Sequence, residues 1–212
     1  TEPEITLDLA TRAIIPLMGR FDLEWGGWQQ APKFPVPAVW RFFLEYTQLT
    51  GQRDIEYQVQ VTLRRICQGG IFDHLAGGFA RYSVDAQWQV PHFEKMLYDN
   101  GQLLSLLSHA HHWQPNALYA ETAKLTFRWL ATEMWDENRY FAALDADSEG
   151  VEGKFYVWTK AEIEEVLGPE AELFCRVYNV TAEGNWEHGQ NVLWITEAIE
   201  YQAEELGKRL QS

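Results

Sequence analysis

The residues best equipped for chemistry in this 212-residue chain fall between Gly69 and Leu97, in the run GGIFDHLAGGFARYSVDAQWQVPHFEKML. That run sets Asp73, His74, Arg81, Tyr82, Asp85, Trp88, His92, Glu94 and Lys95 among glycines and aromatics, in a loop far longer than the usual four to six residues. An imidazole titrates near neutrality and a carboxylate beside it tunes the value. His74 and His92, with Asp73 and Glu94, are therefore the candidate catalytic acid–base groups. Arg81 offers a planar fork for a carboxylate, a phosphate or vicinal hydroxyls. With Tyr82 it would position a substrate, and Trp88 would stack on a sugar face. The competing reading is architectural, with His74, Arg81 and Glu94 as buried partners that lock the loop.

A second segment, ALDADSEGVEGKFYVW, runs from Ala143 to Trp158. Asp145, Asp147, Glu149 and Gly150 match the first half of a calcium loop, but Tyr156 stands at the twelfth position, where a bidentate glutamate belongs. A tight acidic turn facing a cavity or solvent is the preferred reading, and no metal is assigned. Asp145 and Asp147 remain candidate substrate contacts, together with Lys33 in APKFP and Trp186 in the stretch after Gly184. Paired carboxylates would also serve glycoside hydrolysis, where their separation decides the outcome. His109, His111 and His112 close a helix and read as solvated, or as favourable beside its C-terminus.

The elements that must hold these loops are helices. Thr1 to Glu4 fits a capping box. Leu7, Ala10, Ile14 and Leu17 follow at helical spacing, with Pro16 predicting a kink or an early end. Val39, Phe43, Tyr46 and Thr50 mark a second helix ended by Gly51; Ile55, Val59, Leu63 and Ile66 mark a third stopped by Gly69-Gly70. Leu103, Leu107 and Ala110 mark a fourth, and Tyr119, Ala123, Phe127, Leu130 and Met134 a fifth. Tyr140–Leu144 and Lys154–Trp158 alternate like two strands around the acidic turn. Thr159 to Glu162 is another capping box, its helix stopping at Gly168-Pro169, and helices are expected over Glu170–Tyr178 and from Glu197 onward. Gly26-Gly27-Trp28 and Gly69-Gly70-Ile71 suggest a repeat of helix pairs, with Asn138-Arg139-Tyr140-Phe141 in the third equivalent place. The fold class is all-α: helical hairpins of a partial ring with a small β-hairpin insertion, and loops 69–97 and 138–158 at the cavity mouth.

Composition narrows the partners. Seventeen Lys and Arg against 31 Asp and Glu leave a net charge of −14, which disfavours nucleic acid and anionic membrane surfaces. No apolar run is long enough to span a bilayer. Two cysteines, Cys67 and Cys175, cannot build a disulfide framework, so a reducing, cytoplasmic setting is expected. Ten Trp, nine Tyr and eleven Phe exceed what a core of this size needs.

Five segments together carry a resemblance: GGWQQAPKFP (Gly26 to Pro35), GGIFDHLAGGFARYSVD (Gly69 to Asp85), WQVPHFEKMLYDN (Trp88 to Asn100), LDADSEGVEGKFYVW (Leu144 to Trp158) and GNWEHGQNVL (Gly184 to Leu193). They closely resemble the spermatogenesis-associated protein 20 family, whose bacterial members are called YyaL-like. The resemblance implies an N-terminal thioredoxin-like domain followed by an (α/α)6 toroid similar to N-acylglucosamine 2-epimerase and six-hairpin glycosidases. On that basis residues 1–212 correspond to the first half of the toroid, with the thioredoxin-like domain and the second half outside the chain. The expected function is that of a carbohydrate-active toroid, above all a sugar epimerase or isomerase working without a cofactor in the complete protein. The alternatives are a non-catalytic toroid that binds a partner domain, chiefly the thioredoxin-like one, and a glycosidase-like hydrolase. Half a ring leaves its cavity open to water, so turnover by this chain alone is not expected, and self-association is a way to close it.

Overall fold

A computed structural model describes residues 6–196. The expected capping box at Thr1–Glu4 and the expected helix from Glu197 lie outside the described residues. Five long helices come where the periodicity places them: α1 (Leu7–Met18), α2 (Pro37–Thr50), α3 (Arg53–Gln68), α4 (Leu97–Trp113) and α5 (Ala117–Thr132). Two short ones follow, α6 (Lys160–Leu167) and α7 (Ala171–Val177). Helix α1 starts at Thr6, whose hydroxyl accepts from the Leu9 N–H, and ends two residues past Pro16. Gly51 ends α2 in the left-handed region at φ +68°, donating its N–H to the Thr47 carbonyl. Asn116 caps α5, and the Thr159–Glu162 box opens α6 as expected.

The hairpins α2–α3 and α4–α5 pack side by side, α2 against α4 and α3 against α5. Their shared interior is largely apolar, with Trp40, Phe43, Ile66, Phe79, Leu103 and Leu107 fully buried. Each such side chain contributes about 1.5–3 kcal/mol. Phe127, expected on the buried stripe of α5, is 63% exposed; the buried face is Tyr119, Thr122, Thr126, Trp129 and Leu130.

The loops carry two-residue strands: β1 (Tyr82–Ser83), β2 (Pro91–His92), β3 (Lys95–Met96), β4 (Trp135–Asp136), β5 (Arg139–Tyr140), β6 (Ala143–Leu144), β7 (Asp147–Ser148) and β8 (Val151–Glu152). The pairs are β1 with β2, β3 with β6, β4 with β5 and β7 with β8, all antiparallel. The expected hairpin of Tyr140–Leu144 against Lys154–Trp158 does not form. Leu144 pairs instead with Lys95, and Trp158 bridges Asn191, so these extended pieces link one loop to another while the acidic turn closes on itself.

The glycine repeat is real but in a different register. Phe21-Asp22 through Gly26-Gly27-Trp28 matches Phe72-Asp73 through Gly77-Gly78-Phe79, 51 residues on. In both loops the aspartate Oδ1 accepts from the N–H groups two and three residues ahead, at 3.1 and 2.8 Å for Asp22 and 3.0 Å twice for Asp73. The first glycine donates back to the aspartate carbonyl at 2.9 Å in each. A lysine then locks the turn. Lys33 Nζ donates to Asp22 Oδ2 (2.7 Å) and the Gly26 carbonyl (2.8 Å), while Lys95 Nζ donates to Asp73 Oδ2 (2.8 Å) and the Gly77 carbonyl (2.9 Å). Each ammonium faces an indole, Trp88 at 5.6 Å and Trp129 at 5.1 Å. A Cβ on Gly27 would come within 2.8 Å of Trp88, and one on Gly78 within 2.6 Å of Trp129. Gly69 and Gly70 play no such part: Gly69 ends α3 in extended backbone at φ −69°. The third expected member, Asn138–Phe141, belongs to the β4–β5 turn.

Removing one partner of a buried ion pair strands the other charge and costs about 3–5 kcal/mol. Lys33→Ala is expected to lose that much in urea denaturation, whereas Lys124→Ala, which breaks an exposed pair with Glu121, loses less than about 1 kcal/mol. Equal losses would contradict the clamp.

Candidate functional site

Lys95 is drawn into the core, and this fixes the rest of its strand. From Pro91 to Met96 burial alternates, with Pro91, Phe93 and Lys95 inside and His92, Glu94 and Met96 toward the outer face. On the outer face His92 Nδ1 donates to Glu152 Oε1 at 2.8 Å, and His92 Nε2 lies 3.8 Å from Glu94 Oε2. Arg81 Nη1 donates to the same Glu94 oxygen at 3.0 Å. The β1–β2 register sets Tyr82 opposite His92, so the rings stack at 5.0 Å and 22°, and Phe34 packs on Tyr82 at 4.7 Å. Asp99, in the first turn of α4, completes the group. Burial pushes its carboxyl up to about 6 against the pull of Arg81, and its Oδ2 has no hydrogen-bond partner among the described residues.

On the inner face Phe93 and Lys95 join His74 in lining a cleft of about 580 Å³. His74 Nε2 lies 3.0 Å from the Gly69 carbonyl, which can only accept, so this nitrogen carries the proton. The ring packs between Phe72 and Tyr178, and burial pushes it down to about 4. Asp73 gives both carboxylate oxygens to its own turn and to Lys95. His74 and His92 therefore do not form an acid–base pair across one carbon; they belong to opposite faces of one extended segment.

Other candidates are also reassigned by burial. Trp88 is 0% exposed, donates its indole N–H to the Trp25 carbonyl at 2.8 Å and offers no face to a sugar. Lys33 is 1% exposed, with its three donors on Asp22, Gly26 and Ala86. Trp186 packs edge-on against Phe93. Asp145 caps the Asp147 N–H in an exposed turn, and Glu149 pairs with Lys154. Among the described residues no three His, Cys, Asp or Glu side chains are grouped to hold a metal ion. Arg81, Tyr82, His92 and Glu94 do come together. Sequence reasoning missed Glu152, Phe34 and Asp99. Only the acidic character of the 138–158 loop pointed toward Glu152.

This is a helical-hairpin architecture whose loops gather at one set of helix ends, and solved structures share it. A sugar epimerase from a ruminal bacterium superposes with a TM-score of 0.59 at 15% identity, over 97% of this chain and 54% of that one. Cellobiose 2-epimerase from Bacillus thermoamylovorans gives 0.57 at 18% identity, over 66% of this chain and 40% of that one. At these identities the likeness is one of fold: the chain is built as part of an epimerase-type (α/α) toroid.

Sequence comparison is more specific. Mouse spermatogenesis-associated protein 20 is 32% identical over 241 residues, covering 99% of this chain, and the human protein is 35% identical over 218 residues, covering 88%. An uncharacterised protein of Caenorhabditis elegans is 33% identical over 184 residues, covering 77%. The chain belongs to the spermatogenesis-associated protein 20 family. It spans 30% or less of the length of these relatives. No protein-family model matches it.

The state of His74 gives a pH dependence. Its folded value, about 4, lies below the unfolded 6.5, so between those values the unfolded chain binds more protons and stability falls as the pH drops. The loss amounts to roughly 3 kcal/mol by pH 4 and then levels off. In urea melts at pH 7 and 4.5, His74→Gln is expected to show a smaller drop than the parent; an unchanged drop would contradict a buried, neutral His74.

Proposed function

We propose that the outer face of Pro91–Met96 is one wall of a carbohydrate site, and that the whole protein moves a proton next to a sugar carbonyl, as epimerases and isomerases do. The observation that carries this reading is the His92–Glu152 contact beside Arg81–Glu94. A carboxylate on Nδ1 favours the tautomer with its proton there, and Nε2, which lies 3.8 Å from the Arg81-held Glu94, would act as the general base. Nε2 would take the proton from the carbon beside the carbonyl of an open-chain sugar, and the electron pair left behind would move onto the carbonyl oxygen as an enediolate. Arg81 gives one guanidinium N–H to Glu94, and its other N–H groups would donate to a substrate oxygen on that side of the site. Phe34, tilted against Tyr82 and 39% exposed, offers an apolar aromatic surface for the C–H side of a sugar. The fold similarity to two sugar epimerases supports the same substrate class.

One base can exchange the proton with solvent; inversion needs a second group on the opposite side of the carbon. Exchange is therefore the direct assay. The whole protein, incubated in deuterated water with glucose, mannose or cellobiose, is expected to incorporate deuterium at C2, detected by loss of the C2 proton signal. His92→Ala should slow this by about 10²–10⁴-fold, and Glu152→Gln by less. His74→Gln should leave the rate within a few-fold of the parent. Exchange that survives His92→Ala would sink the assignment.

A further inference from the structure

The cleft on the inner face of Pro91–Met96 has no part in the proton transfer proposed at His92. Its volume, about 580 Å³, suits a small molecule. Phe72, Leu75, Phe93 and Tyr156 line it, so most of the surface is aromatic or aliphatic. Its charged groups already have partners. Asp73 holds Lys95, Lys154 at the rim pairs with Glu149, and Glu162 closes the capping box with the N–H and hydroxyl of Thr159. What remains for a ligand is neutral. His74 is an uncharged imidazole tied to Gly69. Tyr156 lines the cleft with its ring stacked on Phe93 and the Lys95 ammonium 4.7 Å from its centroid, and burial pushes its phenol up to about 12, so it stays a neutral donor.

These features select against most ligand classes. A sugar brings many hydroxyls, and each one buried without a partner weakens binding; this lining has few groups to meet them. An anion finds no free cation, and a cation finds no free carboxylate. A flat ring with one hydroxyl fits both the apolar walls and the Tyr156 phenol among them. We propose that this cleft is a second binding site, separate from the His92 face, for an uncharged aromatic ring bearing one hydroxyl group, with that hydroxyl hydrogen-bonded to Tyr156.

The probe is 2-naphthol, titrated into the full chain by calorimetry and ligand-observed NMR, with 2-naphthalenesulfonate as the charged counterpart of similar shape. Saturable binding of 2-naphthol is expected, at least about tenfold tighter than the sulfonate. Tyr156→Phe keeps the ring and removes the hydroxyl, and should weaken 2-naphthol by about five- to tenfold. Leu75 is 49% exposed at the rim, so Leu75→Trp should fill the cleft and abolish binding without lowering the melting temperature by more than a few degrees. No saturation below about 1 mM, equal affinity for the sulfonate, or 2-naphthol binding indifferent to Tyr156→Phe would each overturn the proposal. Tyr156→Phe and the sulfonate decide the matter without Leu75→Trp, so a folding defect in that variant does not weaken the test.

Discussion

Two buried ammonium groups, on Lys33 and Lys95, hold the loops in which His74, Arg81, Tyr82, His92 and Glu94 lie. Each would be costly alone in a largely apolar interior. Each is compensated by an aspartate, a glycine carbonyl and an indole face, and those partners in turn require the loop to take one shape. The aspartate can accept from two N–H groups ahead of it only in a tight turn, and the second glycine must lack a Cβ for the indole to approach. The clamp also reaches across the fold. The backbone of Lys33 bridges Ser83 in the next loop, and that of Lys95 pairs with Leu144 in the loop beyond.

The placement of the site follows from this clamp. With Lys95 buried, the period of two in an extended chain turns His92 and Glu94 outward and Phe93 inward. A one-residue slip would bury His92 and Glu94 and expose the ammonium, so the Asp73–Lys95 pair sets the register that the outer face requires. The two faces then differ in kind. The outer one gathers paired, partly solvated charges around His92; the inner one is apolar, with its charges neutralised among themselves. Similarity to sugar epimerase structures bears on the architecture that carries both faces, and the family relatives extend well beyond this segment of about 30% of their length.

Much of the fold is legible in the sequence because helices announce themselves locally. Gly51 ends a helix, the Thr159–Glu162 box opens one, and apolar spacing locates the five long helices to within a few residues. Phe127 is the exception, because spacing does not say which side of α5 meets a neighbour. The loops are harder, since their determinants are distant in sequence. Gly69-Gly70 and Gly77-Gly78 look alike as residue pairs, yet the second pair has positive φ and its Gly78 sits against an indole. The repeated Phe-Asp before the paired glycines is present in the sequence and is the better signal. Trp88 and Lys33 have the side chains of ligand-binding residues, but they are used inside the clamp. The His92–Glu152 contact spans 60 residues, and no local pattern forecasts it.

The most direct measurement is a crystal structure of the protein with an open-chain sugar alcohol such as sorbitol, a non-reacting mimic of the linear sugar. The account predicts the polyol against Phe34 and Tyr82, with an oxygen or its C2 within about 3.5 Å of His92 Nε2 and the Glu152 contact intact. A polyol seated in the cleft beneath Phe93 with the His92 face empty, or a His92 turned away from Glu152 in the complex, would contradict it.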